Sequence, residues 1–173
     1  MTIHESKQQV RATMAAQFIG VSYSASLASS EGICNRALAA VDWQQVRGLH
    51  YYQAQKAWGE IPLQKLVEAL HEAYPTIHTV PASISRTYAS HKQQYDIIFV
   101  PLLAFDRGGF RLGRGAGWYD QFLVSQKSAL KIGVGYDFCE QVVLPREPHD
   151  VPLDCVITQS KLWRFSDRSD ILL

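Results

Sequence analysis

A layered α/β domain with a mostly parallel sheet between helices is the fold class that the sequence predicts, on three observations. In "YDIIFVPLLAF", Ile97, Ile98, Phe99 and Val100 form an unbroken apolar run, as a central strand does when helices cover both faces of its sheet. Helix-periodic and β-prone segments alternate along the chain. A glycine-rich stretch follows the apolar run directly, and in such sheets ligands bind beyond the carboxyl ends of the strands. A chain of 173 residues, 47% hydrophobic, is expected to form one domain over residues 1–173 with a core of its own.

The elements follow in order. Ile3, Val10, Met14 and Phe18 recur at near-helical spacing and predict a first helix, with Lys7 and Arg11 together on another face. "YSASLASSEGICNRALAAV" predicts a second helix begun by serines, and "RGLHYYQ" a short strand. In "EIPLQKLVEALHEAY", Leu63, Leu66, Val67 and Leu70 make the buried stripe of a third helix, with Pro62 in its first turn. "TIHTVPASISRTYAS" is β-prone but broken by Pro81, which predicts edge structure. After the central strand, a helix is expected from about Gly117 to Val124. "KIGVGYDF" and "DCVIT" are further buried strands, separated by the proline-rich loop "LPREPHDVPLD".

Composition excludes several function classes. A net charge of +1 gives no broad attraction to nucleic acid or to a membrane surface. Cys34, Cys139 and Cys155 are far apart and form no CxxC pair, so buried thiols are expected rather than a zinc site or disulfides. The opening "MTIHESKQQVRATM" lacks the apolar core of a secretory leader, and no stretch is long enough to span a bilayer. A cytoplasmic protein is expected.

Local chemistry concentrates in "FDRGGFRLGRGAGWYD", residues 105–120, which holds five of the eleven glycines. Glycine lets backbone N–H groups approach an anion, and the helix that follows presents its positive end. Arg107, Arg111 and Arg114 add permanent charge in a geometry that grips phosphate or carboxylate two-pronged. A polyanionic ligand suits this loop. It is not a P-loop, since GxxxxGK[ST] is absent, and Trp118 breaks the dinucleotide pattern begun by Gly113 and Gly115. His71, His78 and His149 show no metal-ligand spacing and are expected to be structural or surface residues.

"DIIFVPLLAFDRGGFRLGRGAGWYDQFL" resembles the signature of the 5-formyltetrahydrofolate cyclo-ligase (5,10-methenyltetrahydrofolate synthetase) family. Asp96, Pro101, Ala104, Phe105, Asp106, Arg111, Leu112, Gly113, Gly115, Gly117, Trp118, Tyr119 and Asp120 match it in order. Lys7 and Arg11 resemble the basic pair of the family's first helix, and Glu60 resembles its glutamate near the folate. Pro145, His149, Asp150, Asp154 and Thr158 resemble its closing segment.

The resemblance implies a Rossmann-like sheet of the NagB/RpiA/CoA-transferase-like kind and an ATP-dependent closure of 5-formyltetrahydrofolate. The formyl oxygen is phosphorylated, N10 attacks, and phosphate leaves. It implies ATP held by Lys7, Arg11 and residues Arg111, Leu112, Gly113, Arg114, Gly115, Ala116, Gly117, Trp118 and Tyr119. Folate contacts fall to Glu60, Arg114, Gly115, Ala116, Gly117 and Trp118. Arg111 and Arg114 are implied as catalytic, and Asp120 and Asp150 as ligands of Mg2+. The partners implied are these small molecules alone, and a monomer is expected.

The sequence departs from the family pattern at Leu102, where glycine is usual, and at Ala116, which lacks the charge of a lysine sometimes found there. Trp118 replaces a commoner tyrosine. The stretch between Tyr74 and Tyr95 is shortened and contains no Glu-Pro pair. Two other readings stay open: a diverged relative that binds nucleotide or folate without turnover, and a different reaction on the same sheet, such as sugar-phosphate isomerisation.

Overall fold

The computed structural model of the chain describes residues 2–82 and 93–167. Helix α1 (Ile3–Ile19) starts at a capping box, in which the Thr2 hydroxyl accepts from the Glu5 N–H and the Glu5 carboxylate accepts from the Thr2 N–H. Its buried stripe is Lys7, Met14 and Phe18 rather than one containing Ile3, which is 48% exposed. A lysine thus occupies a core-facing position, which the spacing of apolar residues did not anticipate.

Helix α2 (Tyr23–Ala40) is capped by the Ser22 hydroxyl and buries Ile33, Cys34 and Ala37. Strand β1 (Gly48–Tyr51) follows, then α3 (Gln64–Ala73), which buries Leu66, Val67 and Leu70. The helix begins two residues beyond Pro62, so this proline precedes its first turn instead of forming it. Strand β2 (His78–Pro81) ends on Pro81. The remainder of the expected edge segment, from Ser83 to Ser90, lies outside the described residues.

Strand β3 (Ile97–Pro101) stops where the sequence run continues. The chain turns at Leu102 and Leu103, and β4 (Ala104–Asp106) belongs to a different sheet. Next come β5 (Arg111–Leu112), α4 (Trp118–Ser125), β6 (Leu130–Val134), β7 (Glu140–Gln141), β8 (Cys155–Ile157) and β9 (Leu162–Arg164). "KIGVGYDF" therefore yields a shorter strand than its length suggests, with a 3-10 turn over Asp137–Cys139.

The main sheet runs β2-β1-β3-β6-β8-β9, parallel throughout except for the antiparallel β9. All five residues of β6 and four of five in β3 are buried, as expected of strands covered on both faces. The α/β class expected from sequence is the one observed. The small sheet β5-β4-β7 was not expected, because strands of two or three residues are too short to show a period.

Chain order reverses at β1, with β2 on one side and β3 on the other. The crevice beyond the carboxyl ends of β1 and β3 is therefore the place where this topology binds ligands. The loop carrying Glu60 leaves β1, and Pro101, Leu102 and Leu103 leave β3.

All three cysteines are buried and unpaired. Burial pushes the thiols of Cys139 and Cys155 up to about 12, so they are unreactive thiols, as composition suggested. Among the described residues, no helix is long and apolar enough to cross a membrane.

Candidate functional site

A cavity of about 200 Å³ opens at this switch point. Of the residues expected at the site, Lys7, Arg11, Glu60, Arg111, Gly113, Arg114, Gly115, Ala116, Gly117, Trp118, Tyr119, Asp120 and Asp150 all line it. Leu112 does not: it is 2% exposed and packs in the core, as its alternation with Arg111 along β5 requires. Arg107 is also elsewhere, its side chain 74% exposed and paired with Glu140 at 3.0 Å. His4, Gln8, Pro101, Leu102, Leu103, Glu147 and His149 complete the lining.

The glycine loop presents bare backbone to this space. A Cβ placed on Gly113 or Gly117 would meet nothing within 4 Å among the described residues. Gly117 caps α4 with a φ of 65°, a conformation that favours glycine, and Gly115 stands at 105° beside the Arg11 guanidinium. Arg11 Nε donates to the Gly113 carbonyl at 3.0 Å, tying α1 to the loop.

Four cations and four carboxylates share the cavity; Lys7, Arg111 and Arg114 are paired with the carboxylates, while Arg11 bonds the Gly113 carbonyl. Lys7 Nζ donates to Glu147 Oε2 at 2.7 Å and to Asp150 Oδ1 and Oδ2 at 2.8 and 2.7 Å. Burial opposes the Lys7 charge, but its bonds to Asp150 and Glu147 outweigh that and hold its pKa above the ordinary lysine value. The Glu147 carboxyl is correspondingly held low by Lys7.

Arg111, its side chain 4% exposed, donates to Asp120 Oδ1 at 2.9 Å and to the Val151 carbonyl at 2.8 Å. Burial lowers its pKa, and Asp120 opposes the shift. Arg114 donates to Glu60 Oε1 at 3.2 Å and to the Trp58 carbonyl at 2.9 Å, with its guanidinium 4.6 Å from the Trp58 ring.

The donor chemistry suits a hard cation. Magnesium takes one or two carboxylates and completes its shell with water and phosphate oxygens. Asp120, in the first turn of α4, lies beside the loop that carries Asp150, with the Val151 N–H donating to Asp120 Oδ1 at 3.4 Å. The hydrogen bonds to Asp120 among the described residues fall on Oδ1. Glu147, His149 and Asp150 offer ligand atoms within 4.8 Å of one another. His149 thus stands in a cluster that its sequence spacing did not suggest.

Leu102, where glycine was expected by resemblance, is accommodated by glycines elsewhere. A Cβ on Gly133 or Gly135 would come within 2.8 or 2.6 Å of its side chain. The bulk added at one position fills space left open at two others.

Behind the cavity wall sits His50, on β1, 1% exposed, which the sequence did not single out. Burial pulls its pKa from 6.5 down to about 4. The unfolded chain takes up this proton first, so stability falls as pH drops from 6.5 to about 4. The loss expected is on the order of 3 kcal/mol. Urea titrations of wild type and His50→Phe at pH 7 and pH 4 check this: the loss peculiar to the wild type must exceed that of the variant by this amount.

Residues 58–159, well over half of the chain, match the model of the 5-formyltetrahydrofolate cyclo-ligase family. The 5-formyltetrahydrofolate cyclo-ligase of Escherichia coli is 43% identical over 72 residues, 40% of this chain and 40% of that protein. That of Haemophilus influenzae is 49% identical over 63 residues, 35% of this chain and 33% of its own. The aligned stretch thus spans less than half the length of these curated relatives.

Solved structures of two methenyltetrahydrofolate synthetases are among those that share the fold. A 5,10-methenyltetrahydrofolate synthetase from Mycoplasma pneumoniae superposes with a TM-score of 0.74 at 23% identity, covering 88% of this chain and 98% of that one. The Aquifex aeolicus 5,10-methenyltetrahydrofolate synthetase gives 0.77 at 24% identity, covering 93% of each.

Proposed function

Since the chain belongs to the 5-formyltetrahydrofolate cyclo-ligase family, we propose that it closes 5-formyltetrahydrofolate to 5,10-methenyltetrahydrofolate with hydrolysis of ATP. The observation that carries this reading is the open backbone of Gly113 and Gly117 facing a cavity ringed by Lys7, Arg11, Arg111 and Arg114. Bare N–H groups beside permanent cations are what a triphosphate needs.

The chemistry follows from the substrate. A formyl amide oxygen is a poor leaving group, so N10 cannot displace it directly. Transfer of the γ-phosphoryl group to that oxygen releases ADP and makes the formyl carbon electrophilic. N10 then bonds to the carbon and gives up its proton to solvent, and the carbon–oxygen bond breaks as phosphate departs, leaving the cationic methenyl bridge. Such transfer asks a protein mainly for positioning and charge neutralisation.

Arg114, partly exposed at the cavity edge, offsets charge on the migrating group when it swings from Glu60. Arg111 is buried and doubly anchored, so it holds Asp120 and the Val151 loop in place while lending its charge to the site. Glu60, once released from Arg114, accepts hydrogen bonds from the pterin, and Trp118 borders the ring. Asp120 and Asp150 would hold magnesium, which supplies charge neutralisation to the phosphates.

The direct test is the ultraviolet absorbance of methenyltetrahydrofolate. Purified protein with magnesium, ATP and 5-formyltetrahydrofolate is expected to develop it, with one ADP per product. Binding of both ligands without absorbance would instead support the second reading, a relative that binds without turnover. Ala116 favours that reading, because it offers the phosphates no charge.

A finer test uses Gly113→Ala. The new methyl meets no atom within 4 Å, so folding is expected to be unaffected. If the loop cradles phosphate, KM for ATP rises about tenfold, the effect of weakening one charge-assisted hydrogen bond. A variant with an unchanged KM for ATP would remove Gly113 from the nucleotide site.

A further inference from the structure

His50 does not line the cavity, yet it touches the aromatic group that does. Its ring lies 6.1 Å from that of Trp118 at an interplanar angle of 27°, and 4.8 Å from that of Phe122 at 46°. Trp118 and Phe122 are themselves stacked at 4.9 Å and 23°. They sit four residues apart on one face of α4, so the three rings form a cluster of mutual contacts between strand β1 and the cavity surface. Tyr119 closes the outer edge, perpendicular to Trp118 at 4.8 Å and 89°.

A polar imidazole is an expensive member of such a cluster. His50 Nδ1 is buried and has no hydrogen-bond partner among the described residues, where an unsatisfied nitrogen costs roughly 1–3 kcal/mol. Leucine would fill much of the same space without that cost, but it has no plane. Phenylalanine would keep the plane and remove the cost. What the histidine contributes to its neighbours is therefore a flat surface fixed to a rigid strand. Ring pairs prefer definite offsets and angles, so a planar ring at position 50 sets the tilt of both Phe122 and the indole, each of which it contacts.

We propose that His50 is a positioning residue: by holding the Trp118 ring at its angle, it tunes the cavity for the flat pyrimidine end of a reduced pterin and not for the nucleotide. This rests on the cyclo-ligase reading for the identity of the flat ligand, but the orientation of Trp118 by His50 does not.

His50→Leu, which removes the plane, is expected to raise KM for 5-formyltetrahydrofolate about tenfold, the worth of one aromatic contact. KM for ATP and kcat are expected to stay within about twofold on the same argument. His50→Phe restores the folate KM and melts at or above the wild-type temperature. An unchanged folate KM in His50→Leu, or equal rises in both KM values, overturns the proposal. Should that variant fold poorly by far-UV circular dichroism, His50→Gln carries the same comparison.

Failure of the functional reading is told apart by the wild type, which would then give no product. The positioning claim is still decided by near-UV circular dichroism, taking the Trp118 signal as the difference from Trp118→Phe. That signal must change in His50→Leu and persist in His50→Phe; the same signal in all three proteins at position 50 refutes the claim.

Discussion

Arg114→Ala is expected to lower turnover by about 10²–10³-fold, the scale of removing one group aimed at developing charge. Its effect on folding should be small. The Arg114 side chain is 29% exposed and its partner Glu60 13%, so their pairing contributes no more than about 1 kcal/mol. Glu60 also keeps its place without Arg114, because its Oε2 accepts from the Gln55 N–H at 2.8 Å. Thermal melting should fall by only about 2–4 °C. Arg114→Lys retains the charge without the planar fork and should recover part of the rate. A near-normal initial rate in Arg114→Ala would take this residue off the catalytic list. Asp120 offers no such separation of activity from stability, since it is the counter-charge of Arg111, whose side chain is 4% exposed.

Asp106→Ala is expected to act the other way, through the fold. The Asp106 side chain is fully buried, and its two oxygens organise the loops around the small sheet. Oδ1 accepts from the N–H groups of Gly108 and Phe110 at 2.9 and 3.2 Å. Oδ2 accepts from Leu144 N–H at 3.0 Å and Arg146 Nη2 at 2.9 Å. Removing the carboxylate strands these donors, and a broken buried pair costs about 3–5 kcal/mol. At about 2–4 °C per kcal/mol, melting should drop by roughly 6–20 °C.

Acid acts on the same node. Burial raises the Asp106 pKa, but the four donors outweigh it and leave the carboxyl below its ordinary 3.8. The stabilisation is therefore present above that value and lost as pH falls through the lower, folded-state pKa. A melting temperature in Asp106→Ala within about 2 °C of wild type would show that the loops do not depend on it.

The parts of the site that were legible in the sequence are those written in consecutive residues. Gly113, Gly115 and Gly117 advertise open backbone within five positions, and Arg111, Arg114 and Asp120 stand beside them. Their order also carries the family resemblance. Leu112 shows the limit of such a reading: it belongs to the motif, but alternation along β5 turns its side chain into the core. Arg107 shows the same limit, since the turn held by Asp106 carries it away from the cavity to Glu140.

The burial of Lys7 and the place of His50 were not legible, for different reasons. On helix spacing alone Lys7 reads as a solvated residue, because the carboxylates that permit its burial lie 140 and 143 positions away in the proline-rich loop. His50 gives no local signal at all. Its significance comes from Trp118 and Phe122, which reach it only after α4 docks against β1.

The chain by itself determined the α/β class, the central strand, the helices and the loop chemistry, because each depends on neighbours within a turn or a strand. Tertiary structure alone decided which charges neutralise one another, where β3 hands over to a second sheet, and what stands behind the aromatic wall. Those outcomes depend on desolvation and on partners distant in sequence, and burial is a property of the folded whole that local periodicity cannot express.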